Sequence, residues 1–282
     1  MKALIFGGSG LVGSAVYGAL VAAGHDVSAT YNENKPTCYS CDNWRRWAVS
    51  DTNGLGQLLR EMQPDVVVSV LRGDFLKQSV AHQVMMEFLK KSDGRMVYIS
   101  TVNVFDGVAG GGHREAAIPY PLSQYGDFKK SCEEMLLWGL GKNCLIARLP
   151  KIVSPADKTR ALQRAQGGEV FYSNLYFNYN RPQNVAAALV HCIEARRSGV
   201  LHLTSHDALS DAQYGQILLA NTAATVKAAQ LTAEKYCHLL GGHDISRLKA
   251  SDSGEICLTM ACTDERINAK FKISCAQATE EL

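Results

Sequence analysis

The stretch Met1–Gly13 holds the chain to a narrow set of folds. Ala3-Leu4-Ile5-Phe6 is a short apolar run that stops at Gly7. Apolar residues then recur at Leu11, Val12, Ala15, Val16, Ala19 and Leu20, which is helical spacing. The pattern predicts a strand, a glycine turn and a helix closed by Gly24. Gly7, Gly10 and Gly13 have separate tasks in such a turn. The first lets the chain leave the strand sharply, the second admits a pyrophosphate against bare backbone, and the third lets helix and strand approach closely. Free N–H groups at a helix N-terminus favour an anion, so Gly7, Ser9, Gly10, Leu11, Val12 and Gly13 are the candidate residues for holding a dinucleotide. The alternative reading is a tight strand–helix turn with no ligand.

The alternation continues down the chain. Strands are expected at His25–Tyr31, Trp47–Val49, Val66–Leu71, Met96–Ile99 and Leu145–Leu149, with helices at Gly54–Met62, Phe75–Lys91 and Ser123–Trp138. The run Val66–Leu71 is apolar on both faces, as a central parallel strand must be. Val80, Val84, Met85, Phe88 and Leu89 form the inward face of the helix that follows. Strands alternating with helices imply right-handed crossovers and an α/β fold built on a Rossmann-type, doubly wound parallel sheet. Pro150 and Pro155 mark a break. It places the main domain at 1–150, with a segment at about 178–204 returning to it, and a smaller domain at 151–177 and 205–282. Within these, Asp157–Phe177 reads as polar and irregular, Arg181–Ala195 as a helix, Val200–Thr204 as a strand, and Asp211–Thr222 and Ala233–Leu239 as helices.

Composition removes several function classes. Of 282 residues, 46% are hydrophobic and 20% charged, a balance that can bury a full core. A net charge of +2 gives no electrostatic reason to expect nucleic acid or a membrane surface. No apolar run reaches the ~18 residues of a membrane-spanning helix, and Gly7, Gly8 and Gly10 interrupt what would be the apolar core of a secretory signal. Nine cysteines, an odd number, lie mostly in apolar surroundings, as at Cys132, Cys144, Cys192 and Cys257; they read as reduced core thiols of a cytoplasmic protein. Cys38 and Cys41 have CxxC spacing but lack the second pair that a zinc site needs. His202 and His206 read as structural, and no metal is expected.

Ligands of such sheets bind beyond the carboxyl ends of the strands. The end of the second strand, Thr30-Tyr31-Asn32, has no carboxylate to hold a ribose 2′-hydroxyl, and Lys35, Arg45 and Arg46 are candidate partners for a 2′-phosphate, so NADP(H) is favoured over NAD(H). Tyr31 and Asn32, Asp51 at the adenine edge, and Leu71 and Arg72 after the fourth strand join the cofactor-binding candidates. Tyr125 and Lys129 are four residues apart on one helix and share a face. An ammonium beside a phenol lowers its pKa from ~10 towards working pH and makes it a usable proton donor. Thr101 ends a strand, where its hydroxyl suits a hydrogen bond to a carbonyl oxygen. A Tyr-x-x-x-Lys pair alone also describes a solvated tyrosine beside a surface lysine.

Three segments in this order resemble the extended short-chain dehydrogenase/reductase family: Gly7-x-x-Gly10-x-x-Gly13, Ser100-Thr101-Val102-Asn103-Val104-Phe105-Asp106-Gly107, and Tyr125-Gly126-Asp127-Phe128-Lys129. Within it the chain is most similar to the dTDP-4-dehydrorhamnose reductase branch, over nearly its whole length. The resemblance implies a smaller C-terminal α/β substrate-binding domain. It implies a catalytic set of Thr101, Tyr125 and Lys129, with Lys129 also on the cofactor, and a place for Leu149 near the nicotinamide after Arg148. Asn103 and Arg181 become candidate substrate contacts. The implied activity is NAD(P)-dependent reduction of a carbonyl on a nucleotide-sugar or a related small molecule. A sugar-nucleotide epimerase and a non-catalytic dinucleotide-binding regulator remain as alternatives, and the resemblance allows a homodimer. Leu71-Arg72-Gly73-Asp74 departs from the small residues that the family places after its fourth strand.

Overall fold

The protein is described by a computed structural model covering residues 1–36, 43–107, 112–205, 208–231 and 256–258. Cys38, Cys41, His206 and the expected helix Ala233–Leu239 lie outside those residues. The chain divides into two compact units: Met1–Ser100, Phe128–Ala147 and Pro182–Leu201 form the first; Thr101–Asp127, Arg148–Arg181 and the chain from His202 onward form the second.

The first unit is built on a seven-stranded sheet. Its strands are β1 (Lys2–Phe6), β2 (Asp26–Tyr31), β3 (Trp44–Arg46), β4 (Val66–Ser69), β5 (Arg95–Thr101), β6 (Cys144–Leu149) and, far along the chain, β10 (Gly199–His202). The order is β10-β6-β5-β4-β1-β2-β3, which is the doubly wound arrangement with its switch point between β1 and β4. β1 pairs in parallel with both β2 and β4. Side chains alternate across a strand, so Leu4 and Phe6 face α2 (Thr52–Met62), α3 (Phe75–Ser92) and α4 (Gln124–Leu140) in one apolar cluster with Leu55, Leu59, Met85 and Leu136. On the other face α1 (Leu11–Ala22) packs against α6 (Pro182–Glu194). Asp51 and Asp74 cap α2 and α3, accepting from Gly54 N–H at 2.8 Å and Lys77 N–H at 2.9 Å. Each such cap stabilises its helix by about 1 kcal/mol.

Three local expectations are corrected. The third strand is Trp44–Arg46 instead of Trp47–Val49, because its register against β2 pairs Ala29, Thr30 and Tyr31 with Trp44, Arg45 and Arg46. The Trp44 ring packs on Tyr17 of α1, while Trp47 turns to Phe6 at 5.0 Å between centroids. Val80 is 40% exposed, whereas Val84 and Phe88 pack against the core beside the buried Met85 and Leu89, and Gln78, Ala81, His82 and Met86 are buried on the same helix. Asp157–Phe177 is largely regular, holding α5 (Asp157–Gln166), β8 (Phe171–Tyr172) and the start of β9 (Leu175–Asn180).

In the second unit, β9 is the central strand of a small sheet. It runs antiparallel to β11 (Ala208–Ser210) and parallel to β7 (Lys151–Ile152) and to the backbone of β13 (Ile256–Leu258). β8 pairs with β12 (Ala228–Ala229). Helices α5 and α7 (Asp211–Leu219) close a core of Val153, Phe171, Tyr179, Tyr214 and Leu218. Asp211 holds Arg164 through both carboxylate oxygens, at 3.0 and 2.9 Å. No helix among the described residues is long and apolar enough to cross a membrane. Cys132, Cys144 and Cys192 are buried thiols that form no disulfide.

One buried group in the first unit makes stability pH-dependent. His82 is fully buried on α3, with Nε2 2.7 Å from Ser69 Oγ. Burial, and then the charge of Lys129, lower its pKa from 6.5 to about 3. The folded protein therefore keeps His82 neutral where the unfolded chain takes up a proton. Its contribution is complete above pH 6.5 and is lost between 6.5 and about 3. Urea unfolding of wild type and His82→Gln at several pH values is expected to separate by about 1.4 kcal/mol per pH unit across that window, with the wild type falling faster. Parallel slopes would refute this assignment.

Candidate active site

The glycine turn is built as tightly as its sequence implies. Gly7 has φ +81°, and a Cβ on it would stand 2.6 Å from the carbonyl oxygen of Val70, just past β4. A Cβ on Gly13 would stand 2.3 Å from the Gly7 carbonyl oxygen, so the first turn of α1 lies directly on the end of β1. Thr30 at the end of β2 accepts the Gly7 N–H at 3.1 Å and fixes the turn from the side. Gly10 differs. Its backbone is extended, at φ −77° and ψ 168°, and the nearest atom to an added Cβ is 3.4 Å away. The protein itself gives no strong steric reason for glycine there. Gly10 is the N-cap of α1 and no side chain caps that helix; Ser9, Gly10 and Leu11 are exposed and Val12 half-buried. A bare, uncapped helix N-terminus whose glycine is not demanded by packing fits a pyrophosphate.

The other candidates of this unit fall in two places. Tyr31 and Asn32 end β2, and Arg46 Nε, at the end of β3, donates to the Asn32 carbonyl at 3.2 Å. Lys35 is exposed in the segment that follows. Leu71 is buried and Arg72 exposed after β4. The Asp51 carboxylate, expected at an adenine edge, is engaged as the α2 cap.

In the second unit Thr101 ends β5 and caps a 3-10 turn, Val102–Phe105. Its hydroxyl donates to Asn103 Oδ1 at 3.0 Å and accepts the Asn103 N–H at 3.3 Å. Asn103 Nδ2 donates to Asp106 Oδ2 at 3.4 Å. Asp106, buried, also accepts the N–H groups of Leu122 and Ser123 at 2.7 and 3.2 Å and the Ser123 hydroxyl. Ser123 Oγ in turn accepts the Gly126 N–H at 3.0 Å. A continuous chain of hydrogen bonds thus joins the Thr101 hydroxyl to the first turn of α4, which carries Tyr125. Gly126 completes the fit: a Cβ there would stand 2.3 Å from the Asn103 carbonyl oxygen. Tyr125 is 40% exposed.

Lys129 lies one turn further along α4 and is 4% exposed. Its ammonium donates to the Ile99 carbonyl at 3.0 Å and stands 4.6 Å from the centre of the Tyr98 ring. Burial lowers its pKa from 10.5 to about 8; Cys132 and Glu133 pull it up, and Arg72 pushes it down. Arg148 and Leu149, expected near the nicotinamide, are both buried. The Arg148 guanidinium stacks over Phe105 at 5.0 Å, beside His202 Nε2 at 3.4 Å. The Arg181 N–H donates to Asn180 Oδ1. No cluster able to hold a metal ion occurs among the described residues.

A family model described as RmlD substrate binding domain matches residues 75–251. The chain belongs to that family. The span that matches the RmlD substrate binding domain contains Thr101, Tyr125 and Lys129; the glycine turn precedes it. A curated relative from Haloferax volcanii, described as "Probable low-salt glycan biosynthesis reductase Agl14", is 25% identical over 308 residues, across 100% of this chain and 95% of that protein. A solved structure described as a hypothetical dTDP-4-dehydrorhamnose reductase from Sulfolobus tokodaii is similar with a TM-score of 0.74 at 18% identity, covering 99% of each chain. That of the Bacillus anthracis dTDP-4-dehydrorhamnose reductase in complex with NADP has a TM-score of 0.74 at 13% identity, covering 99% of this chain and 97% of that one. The parallel Rossmann sheet and the second unit are thus the architecture of a known fold.

Two residues of the site were not singled out from sequence. Asp106 follows Val104-Phe105, and its task shows only in the fold, where it is buried and accepts from Leu122 and Ser123. Glu133 lies four residues after Lys129 on the inner face of α4, a spacing visible in the sequence.

Proposed function

We infer that this protein is an NADP(H)-dependent reductase acting on the carbonyl of a nucleotide-sugar or a closely related small molecule. The observation that carries the reading is the hydrogen-bond chain from Thr101 through Asn103, Asp106 and Ser123 to the helix turn bearing Tyr125. Such a chain fixes two hydroxyl-bearing residues, as general acid chemistry at one oxygen requires. The Haloferax relative, described as a reductase, points the same way.

In this reading Gly7–Gly13 and the α1 N-terminus hold the pyrophosphate, with Leu71, Arg72 and Leu149 along the rest of the dinucleotide. A bound reduced nicotinamide supplies the hydride. Tyr125 gives its hydroxyl proton to the substrate oxygen, so that the carbonyl becomes an alcohol, and is reprotonated from solvent. The Lys129 ammonium stabilises the phenolate that Tyr125 becomes, and holds a ribose hydroxyl. Thr101 turns its hydroxyl from Asn103 to the same substrate oxygen. Asn103 and Arg181 are the proposed substrate contacts, and the second unit the part that grips the sugar nucleotide. The test is turnover: loss of NADPH absorbance with a panel of nucleotide-linked keto sugars. Dinucleotide binding with no turnover across that panel would sink the reductase reading and leave a binding protein.

The cofactor half has its own tests. Gly10→Ala is expected to leave the unfolding midpoint unchanged, since its φ and ψ suit alanine, and to weaken dinucleotide binding about tenfold or more by placing a methyl against the pyrophosphate. Equal binding by Gly10→Ala and wild type would remove the cradle. Arg46, held by Asn32 beside the acid-free end of β2, is the proposed partner of the 2′-phosphate. Arg46→Glu is expected to raise KM for NADPH about tenfold or more with little change for NADH. Equal effects on both cofactors would place the 2′-phosphate elsewhere.

A further inference from the structure

Where β4 and β5 end, the layer between the sheet and helices α3 and α4 turns polar. Ser100, next to Thr101 on β5, donates its hydroxyl to Glu133 Oε1. Glu133 is 2% exposed. One turn earlier on α4, Lys129 donates to the carbonyl of Ile99, the residue before Ser100. Two consecutive residues of β5 therefore receive two consecutive turns of α4, one through an ammonium and one through a carboxylate.

We propose that Glu133 is the positioning residue for Lys129: tied to β5 through Ser100, it supplies the buried counter-charge that keeps the Lys129 ammonium charged and in place. The inference rests on the reading that Lys129 tunes Tyr125, and adds to it the group that tunes Lys129.

The surroundings of the ammonium single out Glu133. From β5 the Tyr98 ring presents its face at 4.6 Å, a weak attraction. From α3 comes His82, which burial holds neutral. From the segment after β4, Arg72 repels. From α4 itself come Cys132, whose thiol burial pushes up and so keeps protonated, and Glu133. A buried ammonium without a nearby anion sheds its proton, because desolvation penalises the charged form. Of these groups Glu133 is the carboxylate, and a glutamine in its place keeps the shape and removes the charge.

The test reads the ammonium directly. Full-length protein carrying isotope-labelled lysine is titrated by NMR without ligand, with the Lys129 resonance identified by its loss in Lys129→Arg. The wild-type midpoint is expected near 8. Glu133→Gln is expected to lower it by about one pH unit or more, a tenfold weaker hold on the proton. Ser100→Ala, which releases the carboxylate from β5, is expected to lower it by a smaller amount. A folded Glu133→Gln with the wild-type midpoint overturns the proposal. If Glu133→Gln does not fold, Ser100→Ala decides: a lowered midpoint supports the proposal, and an unchanged one overturns it. Failure of the underlying reading has a different signature, since Lys129→Met would then leave turnover intact while the lysine midpoint still followed Glu133.

Discussion

Tyr125→Phe is expected to lower kcat about 10²–10⁴-fold while leaving dinucleotide binding within about twofold. The substitution removes one oxygen from a residue that is 40% exposed, so folding loses little. Its helix is set by other groups: Asp106 and Ser123 tie its first turn, and Gly126 lies against the Asn103 carbonyl. Removal of a proton donor leaves substrate binding and the dinucleotide cradle in place, so the loss belongs to kcat more than to KM. Steady-state kinetics beside a fluorescence titration of NADPH separate the two. A variant with wild-type turnover would remove Tyr125 from the chemistry.

Asp106→Asn is expected to destabilise the protein by about 2–4 kcal/mol and to abolish most turnover. The carboxylate accepts from two backbone N–H groups, the Ser123 hydroxyl and Asn103 Nδ2. An amide of the same shape offers one acceptor oxygen and turns an NH2 group towards those donors. At least one buried donor is then left without a partner, at about 1–3 kcal/mol. Activity is expected to be lost by a different route than in Tyr125→Phe, because the link between Thr101 and the first turn of α4 is broken while both proposed catalytic side chains survive. Ser123→Ala is the milder companion, at about 1 kcal/mol. Chemical denaturation and kinetics on the same samples check both effects. Wild-type stability in Asp106→Asn would show that the carboxylate is not the organising group.

The parts legible in the sequence are those written in local pattern. The strand–glycine–helix unit at the N-terminus, the apolar run at Val66–Leu71 and the Tyr125/Lys129 spacing each depend on neighbours within a few residues, and β1, β4 and α4 form there. The parts missed depend on distant partners. β3 is Trp-Arg-Arg, and only its register with β2 makes it a strand. β9 carries a local alternation of Leu175, Phe177 and Tyr179 that is itself a strand signal, and its place in the sheet is set by pairing with three other strands. α5 buries little besides Asp157 and Ala161, so its apolar stripe is too narrow to read. Asp106, His82 and Glu133 are not legible in the sequence because a buried polar side chain is identified by what it bonds, and their partners Ser123, Ser69 and Ser100 lie 13 to 33 residues away.

The boundaries between the two units fall after Ser100, Asp127, Ala147, Arg181 and Leu201. With the chain passing back and forth at each of these points, no single cut separates one unit from the other. Recombination between relatives at one crossover would carry pieces of both units, and an exchange of one whole unit would need several junctions at once. One of them separates Ser100 from Thr101, and another divides Tyr125 from Lys129 within a single helix. On the proposed function, a new substrate preference is therefore better sought with point substitutions than with grafted segments.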